Sequence, residues 1–354
     1  MKKDIEIKFE MELNRRLKEL PDFATDFIQS IEDSSSIRTR IAYTKDISIY
    51  LRFLLDELSV ASCEGIVELR IEDIKDISEK DIRSFLSYLN HYTVEYVNKA
   101  GNTITQTYSN SQQGKNRKVA TLRSFYNYLS RVYEVHDPTR HINIKVNERV
   151  ELKNSLNSDE IDRLVATVLG DLTGESERKK AFHQRLKYRN ANIILILAYT
   201  GIRVSELNEL DISDINIEEG TFIVTRKGGN QEIMYLPDEI LPYLRDYIEQ
   251  RKSMLDVDVD YRNALFLSTH KKRMSTRQMR EVISGYAKIA GFDNISPHSL
   301  RRSFGMAFYN QTEDIMLTSE TLGHSSPQIT YKFYARPAEA RKRKYAQNFK
   351  YEKE

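Results

Sequence analysis

The chain has 354 residues, 30% of them charged, and a formal net charge of +2. That length allows two or three domains with enough apolar material for their cores. A lone cysteine, Cys63, excludes an intrachain disulfide and a thiolate metal cluster. The start of the sequence is charged, with no apolar run of signal-peptide type. No stretch approaches the ~20 apolar residues that span a bilayer, so the expectation is a soluble, cytoplasmic protein. The charge is unevenly spread. Gln112–Arg149 holds eight Lys/Arg against three acids and Thr269–Phe304 eight against two, whereas Ser205–Thr221 has six acids and no base. Such alternation suits a folded protein with basic faces for a polyanion.

In chain order, Ile47, Leu51, Leu54, Leu55 and Leu58 mark one apolar face of a helix over Ile37–Leu58. Ser78-x-x-Asp81 opens a second helix, predicted over Ile82–Val97. A polar loop, Ala100–Gly114, separates it from a third, Arg117–Tyr133, whose apolar residues face inward while Lys115, Arg117, Lys118 and Arg123 can meet phosphates. Asp137-Pro138 stops that helix. His141–Leu152 has no strong period and reads as a linker. Asn157-Ser-Asp-Glu160, with Leu156 before it, starts the second domain.

Leu172–Arg189 is polar and charged, and reads as an insertion. Asn190–Thr200 is a buried helix ended by Gly201, with a short helix Ser205–Leu210 after it. Thr221–Thr225 and Gln231–Leu236 flank Arg226-Lys-Gly-Gly-Asn230 as a β-hairpin. Pro237 ends it. A helix over Glu239–Arg251, a strand Ala264–Leu267 and a helix Ser275–Ala290 with a Ser275/Gln278 capping box follow. Ser296-Pro297 and Ser326-Pro327 each place an N-cap before a first-turn proline.

Five islands carry the chemistry. They are TGIRVSEL with Arg203 and Glu206, RKGG with Lys227, PHSLR with His298 and Arg301, LGHS with His324, and Tyr334 ten residues beyond that histidine. Planar guanidinium forks match phosphate oxygens, imidazoles and an ammonium move protons, and a phenol can be a nucleophile. This inventory can attack a phosphodiester without a metal. His298 and Arg301, three apart in a helix, share a face near its N-terminus, where an anion is favoured. Glu206 is placed to orient Arg203. No His/Asp/Glu cluster has metal-ligand spacing.

The ordered set Arg203, Lys227, His298-x-x-Arg301, His324, Tyr334 resembles the signature of tyrosine recombinases of the phage-integrase family, and the likeness runs along the whole chain. One departure is Arg302, where many members have histidine; it points toward the DNA backbone or a carboxylate. Family spacing from the LGH histidine favours Tyr334 over Tyr331 as nucleophile.

The resemblance implies a mainly α, two-domain DNA clamp. Residues 1–145 would form an all-helical, SAM-like core-binding domain and 146–153 a linker. Residues 154–337 would form a mostly helical catalytic domain with a small antiparallel sheet, leaving 338–354 as a tail that docks on a neighbouring protomer. It further implies an enzyme that cuts and rejoins DNA through a 3′-phosphotyrosyl link without metal, ATP or cofactor. Tyr334 would attack, Arg203 and Arg301 neutralise charge with His324 assisting, His298 act as base and Lys227 as acid. The partner would be duplex DNA with inverted half-sites, bound by a homotetramer. Length and the V-T-R-K-G-G pattern resemble Xer-type chromosome dimer resolution. Alternatives are a transposon or prophage integrase, a type IB topoisomerase, and a catalytically silent DNA-binding protein.

Overall fold

The computed structural model describes residues 2–97, 101–143, 155–172, 174, 176–226, 228–324 and 326–335. The chain divides into two compact units, Met1–Glu148 and Arg149–Glu354. Helices dominate both, with small antiparallel sheets. The expected linker 146–153 and tail 338–354 lie outside the described residues.

The first unit holds α1 (Lys2–Leu17), α2 (Asp22–Ser30), α3 (Ile37–Asp56), the single turn α4 (Ile71–Ile74), α5 (Glu79–Tyr88) and α6 (Gln112–Val132). Ser36 caps α3 by accepting from Thr39 N at 3.2 Å. Its core is aromatic: Phe27 and Phe125 lie 5.3 Å apart and Tyr50 meets Phe85 edge-on at 5.1 Å. The hydroxyls of Tyr50 and Tyr126, both fully buried, pair at 2.6 Å, so neither is stranded in the apolar interior. Helix α6 stops at Val132, before Pro138, where Glu134 turns into the left-handed region.

Two expectations for this unit need correction. The helix predicted to reach Val97 ends at Tyr88, and strand β1 (Tyr92–Val97) pairs with β2 (Thr103–Tyr108) inside the predicted polar loop. The N-terminal unit is therefore not all-helical. Both segments are rich in Tyr, Thr, Val and Ile, which favour extended backbone. Gly101, at φ 82°, turns the chain between them, and Tyr92 stacks on Tyr108 at 5.5 Å across the ladder.

The second unit begins with α7 (Ser158–Leu169), where Asn157 and Glu160 close a capping box over buried Leu156. Helix α8 (Glu177–Thr200) is its axis, packed by α7 and by four later helices, so residues 191–198 are buried all round. The segment predicted as a polar insertion is largely the first half of α8. Apart from Leu186, its buried positions are polar: His183 Nε2 donates to Gly170 O at 2.7 Å and Arg189 Nη1 to Leu267 O at 2.8 Å. A buried face built from satisfied polar groups leaves no apolar period to read.

Short α9 (Val204–Glu209) leads into β3 (Ile215–Asn216), β4 (Thr221–Thr225) and β5 (Gln231–Tyr235), an antiparallel sheet in that order. Phe222 opposes Met234 on its buried face. Then come α10 (Leu241–Lys252), α11 (Thr276–Ile289), α12 (Pro297–Thr312), α13 (Ile315–Leu322) and α14 (Pro327–Thr330), which runs into a π-helical turn, Tyr331–Ala335. The strand expected at Ala264–Leu267 is only two isolated bridges, Asp211 with Ala264 and Leu267 with Arg273. Side chains occupy its carbonyls instead: Tyr247 donates to Leu265 O and Arg251 to Ala264 O.

Candidate active site

Helix α8 ends at Gly201, whose φ of 62° carries the chain left-handed into Arg203. A Cβ there would stand 2.4 Å from Phe304 Cδ1, so the site also needs the missing side chain. Arg203 is the N-cap of α9. Its amide donates to Glu206 Oε2 at 2.8 Å and its Nη1 to Glu206 Oε1 at 2.7 Å, while Nη2 donates to Gly323 O at 2.7 Å. The guanidinium is thereby fixed at both sides of its fork, at the corner between α8 and α9.

Arg301 lies in the second turn of α12, which Ser296 caps and Pro297 opens. It is 6% exposed, and its Nη1 donates to Gly201 O at 2.6 Å and its Nη2 to Leu322 O. Burial, then neighbouring Arg203, pull its pKa down to about 10, which leaves it charged at neutral pH. His298 is exposed at the start of the same helix. Burial of part of its ring, then Arg301, Arg302, Arg280 and Arg203, hold its pKa below the usual imidazole range. A neutral imidazole at pH 7 can accept a proton.

The last turn of α13 organises the cluster. Thr321 O accepts from Arg226 Nη2 at 3.1 Å, Leu322 O from Arg301, and Gly323 O from Arg203. Three successive carbonyls at a helix C-terminus thus each take a guanidinium from a different element, at the negative end of the helix dipole. Gly323 adopts φ 61° and delivers His324 beside them. His324 Nδ1 faces the buried Thr330 hydroxyl at 2.7 Å. Burial, then Arg301 and Arg203, pull the His324 pKa down to about 4, so the ring is neutral at pH 7. The arrangement that offers a donor to an anion has Thr330 donating to Nδ1 and the hydrogen on Nε2.

Tyr334 sits in the π-helical turn, 5% exposed, with its ring against Gly305 of α12. Burial pushes its phenol pKa up, against the pull of Arg301 and Arg302. Tyr331, in the same turn, is 60% exposed. A Cβ at Gly305 would lie 2.6 Å from Tyr334 Cζ and 2.7 Å from its hydroxyl oxygen, so the ring tip would have to move. Gly305→Ala should lower the melting temperature only slightly, because the gain of about 0.5–1 kcal/mol in helix propensity partly offsets the roughly 1–3 kcal/mol cost of displacing the buried ring. It should slow any reaction of the phenol on the order of 100-fold by misplacing it. Thermal melts beside a single-turnover cleavage assay check this, and full-rate cleavage would remove Gly305 from the site.

Arg203, His298, Arg301, His324, Tyr334 and Glu206 thus all lie in the second unit, while Lys227 lies outside the described residues. Sequence reasoning missed Arg226, Gly305 and Thr330. Arg226 was visible only as a neighbour of Lys227, and nothing in the sequence marks the other two. Arg302 stands over the Phe333 ring at 5.5 Å.

The four basic candidates of the first unit fare differently. Lys118, expected on a phosphate-facing side, is instead 5% exposed, with Nζ donating to Asn110 Oδ1 at 3.0 Å and 3.5 Å from Asp46. The buried Asp46 carboxylate, which also accepts from Thr121, draws it inward. Arg117 forks onto Asp46 but keeps about half its side chain exposed, at 51%. Arg123 donates to Ile142 O and Lys115 to Asn90 Oδ1.

The family model described as Phage integrase family matches residues 154–341. The chain is 29% identical over 335 residues to Tyrosine recombinase XerS of Streptococcus agalactiae serotype III, covering 89% of this chain and 92% of that one. It is 28% identical over 302 residues to Tyrosine recombinase XerD of Oceanobacillus iheyensis, covering 85% and 88%. Two solved structures share the fold. XerH site-specific recombinase bound to difH substrate in a pre-cleavage complex has TM-score 0.61 and 17% identity over 96% of this chain and 95% of that one. The Tn1549 transposon integrase with circular intermediate DNA has TM-score 0.65 and 16% identity over 93% and 100%. With the family model spanning more than half of the sequence, including every member of the arginine cluster and Tyr334, the chain belongs to the phage integrase family.

Proposed function

We propose that the chain is a site-specific DNA recombinase that cuts and rejoins strands through a 3′-phosphotyrosyl intermediate. The observation that carries this reading is the turn at 321–323, which holds Arg203 and Arg301 beside His324, with the buried Tyr334 ring against Gly305, one turn along α12 from Arg301. Each guanidinium has further N–H donors beyond those the carbonyls take up. Those donors, with His324 Nε2–H, bind the non-bridging oxygens and offset the charge that grows on them in the transition state. The Tyr334 oxygen bonds to phosphorus while the P–O5′ bond breaks. His298 takes the phenol proton, and Lys227 gives a proton to the departing 5′ oxygen. A 5′-hydroxyl from a second strand reverses the step, so the bond energy is kept in the phosphotyrosine.

The names of the relatives, XerS and XerD, support a Xer-type role in resolving chromosome dimers. Duplex DNA with inverted half-sites, a homotetramer on two synapsed sites and a cytoplasmic location complete the proposal. No described helix is long and apolar enough to cross a membrane. Arg117, Arg123, Lys115 and Arg302 remain the proposed backbone-contacting residues, and Lys118 is better read as a support for Asp46.

The test is recombination itself. Incubated with two DNA copies of its target site in excess chelator and without ATP, the protein should exchange strands and pass through adducts that survive denaturant. Relaxation of supercoils without exchange would favour the topoisomerase reading. Site binding with no adduct would favour a silent DNA-binding protein.

A further inference from the structure

We infer that Arg226 is a positioning residue for phosphate recognition, holding from behind both groups that aim Arg203. This rests on the recombinase reading and adds to it a residue outside the ordered set Arg203, Lys227, His298, Arg301, His324 and Tyr334. Arg226 is mostly buried where β4 enters the turn of the β4–β5 hairpin. Its Nη1 donates to Glu206 Oε2 at 3.0 Å, its Nε to Glu232 Oε2 at 2.7 Å, and its Nη2 to Thr321 O at 3.1 Å, with Met234 Sδ at 3.2 Å. All three guanidinium nitrogens donate to protein acceptors and the side chain is only 9% exposed, so Arg226 is placed as a brace behind the site and not at its surface.

The two things it braces are the anchors of Arg203. One is Glu206, a buried carboxylate shared between two guanidiniums: Oε1 accepts from Arg203 and Oε2 from Arg226. Without Arg226, Oε2 would keep only the Arg203 amide, and the carboxylate could rotate about its last torsion. The other anchor is the turn at Gly323. A Cβ there would lie 3.1 Å from Arg226 Cζ and Nε, so the guanidinium rests directly against the backbone that presents Gly323 O to Arg203. Burial disfavours the Arg226 charge, but Glu232 and Glu206 more than offset it and hold its pKa above the ordinary value. It therefore stays a cation, which keeps the Glu206 carboxylate paired on both sides.

A brace for a charge-neutralising group has a chemical signature that a general support lacks. If Arg226 works by aiming Arg203 at a non-bridging oxygen, its loss should matter less when that oxygen carries no charge. The experiment compares single-turnover cleavage of two half-site duplexes, one with an ordinary scissile phosphate and one with a methyl group replacing a non-bridging oxygen. Arg226→Gln should slow ordinary cleavage on the order of 100-fold, with half-site binding unchanged. Its ratio of methylphosphonate to phosphate rate should rise at least about tenfold over the parent, in the same direction as in Arg203→Gln. A raised ratio in Arg203→Gln with an unchanged one in Arg226→Gln would overturn the inference and leave the recombinase reading intact. An unchanged ratio in both would overturn the role of Arg203 first. Should Arg226→Gln fail to bind DNA, Glu232→Gln decides the matter. Loosening Arg226 from its exposed side should shift the ratio in the same direction by a smaller factor, and no shift would end the proposal.

Discussion

Tyr334→Phe should abolish denaturant-stable protein–DNA adducts while leaving half-site binding nearly unchanged. The substitution removes one oxygen and keeps the ring that packs on Gly305, so neither the π-helical turn nor α12 loses its neighbour. The lost oxygen is the proposed nucleophile. Tyr331, 60% exposed three residues earlier, is the natural competitor, and Tyr331→Phe should form adducts at close to the parent rate. Burial holds the Tyr334 phenol above its ordinary pKa, so the parent needs a base to make the attacking phenolate. His298, with its pKa depressed by burial and four arginines, can serve. Gel analysis of adducts after denaturation decides the case. Adducts that persist in Tyr334→Phe, or vanish only in Tyr331→Phe, would transfer the role.

Lys227→Ala should slow cleavage of a normal phosphodiester by about 10²–10⁴-fold, the usual worth of a proton donor in the transition state. The same variant should cleave a duplex with sulfur at the bridging 5′ position at nearly the parent rate, because a thiolate leaves without a proton. The turn that carries Lys227 is pinned at its foot. Arg226 N donates to Asn230 O at 2.8 Å, Gly229 N to Arg226 O at 3.0 Å, and Gly228 and Gly229 adopt φ of 99° and 91°. Removing the ammonium thus leaves the hairpin its geometry. Single-turnover rates on the two substrates are the measurement. Equal damage on both would make Lys227 a DNA-positioning residue.

The parts of the molecule legible in the sequence are those whose signals are local. Asn157/Glu160, Ser275/Gln278 and Ser296-Pro297 each start a helix where the capping chemistry says so. Gly201 ends α8 for the reason its backbone angle requires, and the hairpin around Arg226-Lys-Gly-Gly-Asn230 follows from alternation and turn residues. The failures share another cause. The first half of α8 buries His183, Arg189 and Asn190 on partners far along the chain, so its inward face has no apolar stripe. The β1–β2 hairpin is mostly exposed and polar, and its sequence was absorbed into a helix and a loop although its residue types favour strands. In the site, the residues that would touch DNA were legible because their order is distinctive. Arg226 and Thr330 act through other residues, and their roles depend on contacts 95 and 6 positions away.

The three-carbonyl turn of α13 also bears on when the enzyme becomes dangerous to DNA. Its guanidiniums arrive from sites 120, 21 and 95 residues away in sequence, at the N-cap of α9, within α12 and just after β4. Such long loops close late in folding, because their entropy must be spent before the contacts return it. A nascent or partly unfolded chain can therefore own every reactive side chain and still hold them scattered. Cleaving competence should then arise only once the second unit is finished, and a half-made molecule should be harmless to DNA.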